Sequence, residues 1–125
     1  MKIVNSDKAP AAVGPYSQAI ATGKLVFLAG QIPLVPGTSD FAGTDITSQT
    51  RQCLKNIEAV LASEGLTLAN VVKSTVLMQD LKDFAAMNVV YAEMFGAHKP
   101  ARSTFQVAAL PRGALVEIEV IASRE

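Results

Sequence analysis

The sequence is short of the residues on which most familiar chemistries depend. It has one cysteine, Cys53, and one histidine, His98, in 125 residues. A single cysteine excludes an internal disulfide. One histidine and one cysteine fall short of the usual zinc ligand set. A Ser-His-Asp or Cys-His site would have only His98 to draw on, and His98 precedes Lys99-Pro100 in an expected exposed loop. Neither GxGxxG nor GxxxxGK[ST] is present, so the standard phosphate cradles are excluded as well. There is no excess charge of either sign, with 11 basic and 11 acidic side chains. Nucleic acid is therefore not an expected partner, because no basic stripe exists to hold it. No stretch approaches the roughly 20 apolar residues that span a bilayer. Met1 leads into Lys2-Ile3-Val4 without the apolar run of a signal peptide. A soluble cytoplasmic protein without membrane contact is expected.

What is present is an apolar chain, half of it hydrophobic, with the length of one domain spanning residues 1–125. Ile46, Cys53, Leu54, Ile57, Val60 and Leu61 recur at helical spacing and predict a helix from Asp45 to Glu64. Gly65 is expected at its left-handed C′ position. Cys53 falls on the apolar face of this helix, where a free cysteine is either a small core residue or a candidate thiol. Phe84, Met87, Tyr91 and Phe95 predict a second helix from Asp83 to Phe95, capped by Asp80 or Asp83 and ended by Gly96 and Pro100.

Strands are expected at Ser17–Thr22, Leu25–Gln31, Val71–Leu77, Ser103–Ala108 and Val116–Ala122, with Lys2–Val4 as an edge. Gly23-Lys24 reads as a hairpin turn, and the stretch from Pro33 to Thr44 carries turn chemistry only. The order β-β-β-α-β-α-β-β predicts an α+β sandwich, a mixed sheet with both helices on one face. Leu25-Val26-Phe27-Leu28-Ala29, and Val71-Val72 with Val76-Leu77, are apolar on both sides of their strands. Such strands are normally covered on both faces, and two helices cover one. The second cover is expected from another copy of the chain.

Polar groups inside apolar patterns are the informative positions. Glu117 and Glu119 alternate in Val116-Glu117-Ile118-Glu119-Val120 and share one strand face, either solvated or in need of partners. Asn88 lies four residues after Phe84 and three before Tyr91, on or beside the buried helix stripe, as a structural amide or a ligand contact. Arg102 follows Pro100-Ala101 at the start of the fifth strand, and Tyr16 sits in the turn Val13-Gly14-Pro15-Tyr16.

Taken together, several segments resemble the reactive-intermediate deaminase family, also called Rid or YjgF. They are residues 11–19 (AAVGPYSQA), 29–33 (AGQIP), 100–103 (PARS), 109–111 (ALP) and 116–122 (VEIEVIA), with Asp80-Leu81-Lys82-Asp83-Phe84 and Asn88 between them. The resemblance implies a chorismate-mutase-like fold, assembled as a homotrimer with a barrel-like core and clefts between subunits. It implies hydrolysis of small 2-imino acids such as 2-iminobutanoate to 2-oxo acids and ammonia, with no metal or bound cofactor. Site roles carry over to Tyr16, Asn88, Arg102 and Glu117. Arg102 marks the branch similar to 2-iminobutanoate/2-iminopropanoate deaminase. Thr104 stands where many relatives place a cysteine, and keeps a hydroxyl for substrate binding; Ala29 stands where some place a serine. In the implied chemistry Arg102 grips the substrate carboxylate with its planar fork. Glu117 acts on the attacking water, a role that Glu119 on the same face is also placed to fill. Two rivals accompany this reading: a binding protein or sensor for small carboxylates, and a ribonuclease.

Overall fold

The computed structural model describes all 125 residues. Its sheet is built from β1 (Lys2–Val4), β2 (Ala19–Thr22), β3 (Leu25–Leu28), β4 (Val71–Met78), β5 (Ala101–Gln106) and β6 (Val116–Ser123). The spatial order is β1-β2-β3-β6-β4-β5. Only β4 and β5 run parallel, because the crossover between them contains a helix, α2 (Phe84–Phe95). All other pairs are antiparallel, so the expected mixed α+β sheet is what forms.

The first helix, α1, runs from Ile46 to Ala62. Asp45 is its N-cap, accepting from the Ser48 amide at 3.0 Å. Gly65 has the expected left-handed φ of +70°, one residue beyond C′, because Ser63 is the cap. Cys53, Leu54, Ile57, Val60 and Leu61 are wholly inaccessible. At about 1.5–3 kcal/mol for each large side chain buried, this stripe is a main source of cohesion. The residues beneath it follow strand alternation: Val116, Ile118, Val120 and Ala122 of β6, with Ser74, Val76 and Met78 of β4, all face the helices and are buried. Ahead of α2, Asp80 caps a short 3-10 turn, Leu81–Asp83. Asp83 occupies the cap position of α2 itself without a side-chain bond. No helix is long and apolar enough to cross a membrane.

Strand ends differ from the sequence expectation for reasons that matter to the site. β2 starts at Ala19, not Ser17, because the buried Gln18 amide turns to bind the N-terminal segment. β3 stops at Leu28 rather than Gln31. Ala29 bonds back to Gln18 O at 2.9 Å, and the chain rejoins the sheet only at Gln31, bridged to Ile118. β5 covers Ala101–Gln106 instead of Ser103–Ala108, its pairing with β4 beginning at Lys73–Ala101. Arg102 is thus an interior strand residue, opposite Ser74. The segment from Pro33 to Thr44 holds more than turns, with a bridge between Leu34 and Phe41.

The sheet face away from the helices lies open in a single chain. The cross-strand pairs Phe27–Ile121 and Leu77–Phe105 lie on it, with Phe27 41% and Phe105 54% exposed.

Candidate active site

Helix spacing and strand register together build the surroundings of Arg102. Phe84, Asn88 and Tyr91 stand at i, i+4 and i+7 on α2, and β5 carries Arg102 beneath that stripe. Its Nη1 donates to Asn88 Oδ1 at 2.7 Å. The guanidinium carbon lies 4.7 Å from the Tyr91 ring centre and 5.6 Å from that of Phe84, within cation–π range. Arg102 is half-buried, yet no acidic group lies within ion-pair distance of it. Of its five N–H donors, one has a partner in the chain. The group borders a cavity of about 430 Å³ with Asn88, Tyr91, Phe95, His98 and Lys99. Burial pushes the Tyr91 phenol up, opposed by its bond to Ser74 and by the Arg102 charge.

Glu117 stands on the other face. It is opposite Leu77 in the β4–β6 ladder, while Arg102 is opposite Ser74. Those partners are three positions apart on β4, an odd offset, so strand alternation sends the two side chains to opposite sides of the sheet. Glu117 borders a cavity of about 550 Å³ with Tyr16, Gly30, Gln31, Ile32 and Arg112. Its carboxylate packs directly on Gly30, filling the space in which a side chain there would begin. No hydrogen-bond donor of the chain satisfies it. Burial first, and then the neighbouring Glu119 charge, push its pKa up from the ordinary carboxylate value. A half-buried carboxylate with free lone pairs and a raised pKa has the properties of a general base.

The residues singled out from sequence thus fall into two groups within one chain. Asn88 and Arg102 touch each other. Tyr16, 53% exposed, shares the second cavity with Glu117. Thr104 lies on the Arg102 face two residues further along β5, and its buried Oγ1 has no partner. Glu119 is exposed and borders a separate cavity of about 150 Å³ with Phe27 and Lys73, which leaves Glu117 alone beside Tyr16. Cys53 is a core residue; its Sγ lies 3.7 Å from Val116 O, and burial holds the thiol pKa well above normal. His98 is not the exposed loop imidazole expected. It is half-buried, and its Nε2 donates to Val71 O at 2.6 Å, tying the α2–β5 connection to β4.

Three contributors were not singled out from sequence. Gly30 makes room for Glu117, a close approach that an unexplained glycine beside a strand can signal. Gln18 accepts from the Ser6 amide at 2.6 Å and donates to Pro10 O at 2.8 Å, which fixes the segment walling the Tyr16 cavity. Arg112 borders that cavity in a left-handed conformation, φ +58°, and donates to Ser39 O at 2.7 Å. Left-handed non-glycine residues are uncommon enough to mark a site, but only coordinates reveal one.

Comparisons with known proteins agree with this architecture. The family model described as Endoribonuclease L-PSP matches residues 6–124. A RutC family protein of Pyrococcus horikoshii is 49% identical over 124 residues, 99% of this chain and 98% of its own. The mouse 2-iminobutanoate/2-iminopropanoate deaminase is 43% identical over 121 residues, 97% of this chain and 90% of its own. The crystal structure of E. coli TdcF with bound serine is similar with a TM-score of 0.95, at 41% identity and with both chains fully covered. A match over nearly the whole length, in sequence and in backbone, leaves one assignment: the chain belongs to the Endoribonuclease L-PSP family, the Rid or YjgF group that also holds reactive-intermediate deaminases.

Proposed function

We propose that the protein hydrolyses small 2-imino acids, R–C(=NH)–COO⁻, to 2-oxo acids and ammonia. The observation that carries this reading is Arg102, a half-buried guanidinium without an acidic partner. A buried charge without a counter-ion is costly, and a substrate carboxylate is the natural group to neutralise it, bidentately. Relatives supply support of the same kind: one carries the name of the deaminase, and another was crystallised with serine, itself a carboxylate.

The chemistry needs a base as well as a grip. Arg102 holds the carboxylate, with Asn88 bonded to one of its nitrogens, and the Thr104 hydroxyl, buried and without a partner in the single chain, is assigned to the substrate. Glu117 takes a proton from water as its oxygen bonds to the imine carbon. The imine nitrogen receives that proton, giving a tetrahedral carbinolamine; Glu117 then carries the hydroxyl proton to the amine, and the intermediate collapses to the ketone as the C–N bond breaks and ammonia leaves. Tyr16 closes the apolar side. Positioning is worth several kcal/mol in such a step, enough for an imine that is reactive already.

Since Arg102 and Glu117 face opposite sides of the sheet, one chain cannot bring them to one substrate. We place the working site between copies, with Arg102 from one and Tyr16 and Glu117 from the next, in a homotrimer whose open sheet faces pack together. The exposed Phe27 and Phe105 support that packing, for an apolar sheet face of this kind calls for a cover.

The test generates 2-iminobutanoate with a threonine dehydratase and follows its disappearance. Wild type should accelerate the decay. Arg102→Ala should lower kcat/KM by about 100-fold or more, the loss of a charged pair worth about 3 kcal/mol. Unchanged decay with wild type sinks the proposal. Saturable binding of 2-oxobutanoate without turnover would identify a carboxylate sensor instead.

A further inference from the structure

Asn88 holds Arg102 at one nitrogen only. A single hydrogen bond is a pivot: it fixes the distance of the guanidinium but not its plane. The plane is set by what lies against its face, and the nearer of the two rings is Tyr91. That ring is itself fixed on two sides. It stacks on Phe95 with centroids 4.5 Å apart, and its hydroxyl lies 2.6 Å from Ser74 Oγ. Ser74 is fully buried, and Tyr91 is 8% exposed. Ser74 is also the residue directly opposite Arg102 in the β4–β5 ladder. The contacts therefore close a ring: Arg102 backbone to Ser74 backbone across the sheet, Ser74 hydroxyl to Tyr91 hydroxyl, Tyr91 face to Arg102 guanidinium.

We propose that Tyr91, anchored through Ser74, is a positioning residue that sets the plane of the Arg102 fork before a carboxylate arrives. The inference rests on the deaminase reading for its substrate, though not for its geometry. A free arginine side chain loses rotamer entropy when a ligand orders it, and a fork ordered in advance spares the ligand that cost. The same order restricts productive binding to planar anions presented in the plane of the fork, which describes a 2-imino carboxylate.

The decisive variant is Ser74→Ala/Tyr91→Phe. It removes both hydroxyls, keeps the aromatic ring and leaves neither partner orphaned, a change close to neutral for stability. With 2-iminobutanoate, KM is expected to rise about fivefold with kcat held within about twofold, the size of a weakened cation–π contact. In the ligand-free protein, the heteronuclear NOE of the Arg102 Nε–H should fall. Tyr91→Leu, which also removes the ring face, should extend the KM rise to about tenfold or more. An unchanged KM overturns the proposal. So does a lower kcat at unchanged KM, which marks a smaller folded fraction and a merely structural pair. If wild type shows no turnover, the deaminase reading fails by itself, and the ligand-free NOE decides: a fall upholds the positioning role and an unchanged value overturns it.

Discussion

Replacing Gly30 with alanine asks whether the Glu117 carboxylate must lie where it does. The new Cβ would sit 2.9 Å from Glu117 Cδ and 3.2 Å from Cγ, and closer still to Oε2. Carbon atoms settle at about 3.5–4.0 Å, so the carboxylate must swing aside. Gly30 does not have the positive φ that alanine resists, and alanine at a compatible position stabilises by about 0.4–1 kcal/mol. Pushing Glu117 off its rotamer costs about 0.5–1.5 kcal/mol. The two terms nearly cancel, and Tm should move by less than about 4 °C. Activity has no such compensation. A shift of about 1 Å in a reacting group costs about 100-fold, within the range that a general base contributes.

The assay is the imine decay described above, run beside thermal unfolding. Gly30→Ala should lose about 100-fold in kcat/KM at nearly unchanged Tm. Glu117→Gln should lose at least as much, and the double variant little more than Glu117→Gln, since alanine cannot misplace a base that is gone. Wild-type turnover in Gly30→Ala, or losses that simply add, would refute the claim that glycine serves the carboxylate.

Two further outcomes follow from the same geometry. Arg102→Ala and Glu117→Gln chains, inactive separately, should complement when co-expressed. With one group drawn from each copy, about one site in four is intact at equal mixing, whereas mixtures no more active than their parents would rule out a composite site. The pH dependence follows from the raised Glu117 pKa, caused by burial and then by Glu119. The folded chain keeps this proton to higher pH than the unfolded chain. Stability therefore falls as pH rises from the ordinary carboxylate value through the raised one, while the base works only above the raised value. Glu119→Gln removes the second cause, so the acid limb of kcat/KM should move to lower pH; a limb that stays or moves upward contradicts the coupling.

Both helices were legible in the sequence because their apolar residues repeat with the helical period. The placement of Asn88 beside the buried stripe of α2 followed from the same count. Strand identity was legible too, but strand ends were not. Gln18 and Ala29 sit in runs that read as strand, but the Gln18 side chain turns to Ser6 and Pro10, and after Ala29 the chain meets the sheet again only at the Gln31–Ile118 bridge. The shared face of Glu117 and Glu119 followed from alternation, yet their different surroundings depend on Gly30 and Tyr16, which arrive from distant segments. The Ser74–Tyr91 bond was equally hidden. Nothing in Lys73-Ser74-Thr75 marks one hydroxyl as the partner of an aromatic residue on a later helix.

Least legible was the separation of Arg102 from Glu117. Each strand shows its own alternation, but which faces coincide depends on register: Ser74 opposite Arg102 and Leu77 opposite Glu117. A one-residue slip in either pairing would put both groups on the same side. Two strands apart on one face, they would be close enough for a long arginine to seek the carboxylate. An ion pair would then satisfy both, lowering the glutamate's pKa and occupying the guanidinium. The observed register forbids that. A layer of strand keeps the cation free to want an anion and the carboxylate free to take a proton. In the proposed assembly the two charges meet only across a cleft between copies, where the substrate stands between them. In that assembly, the register that divides the site within one chain preserves the two groups for the proposed reaction.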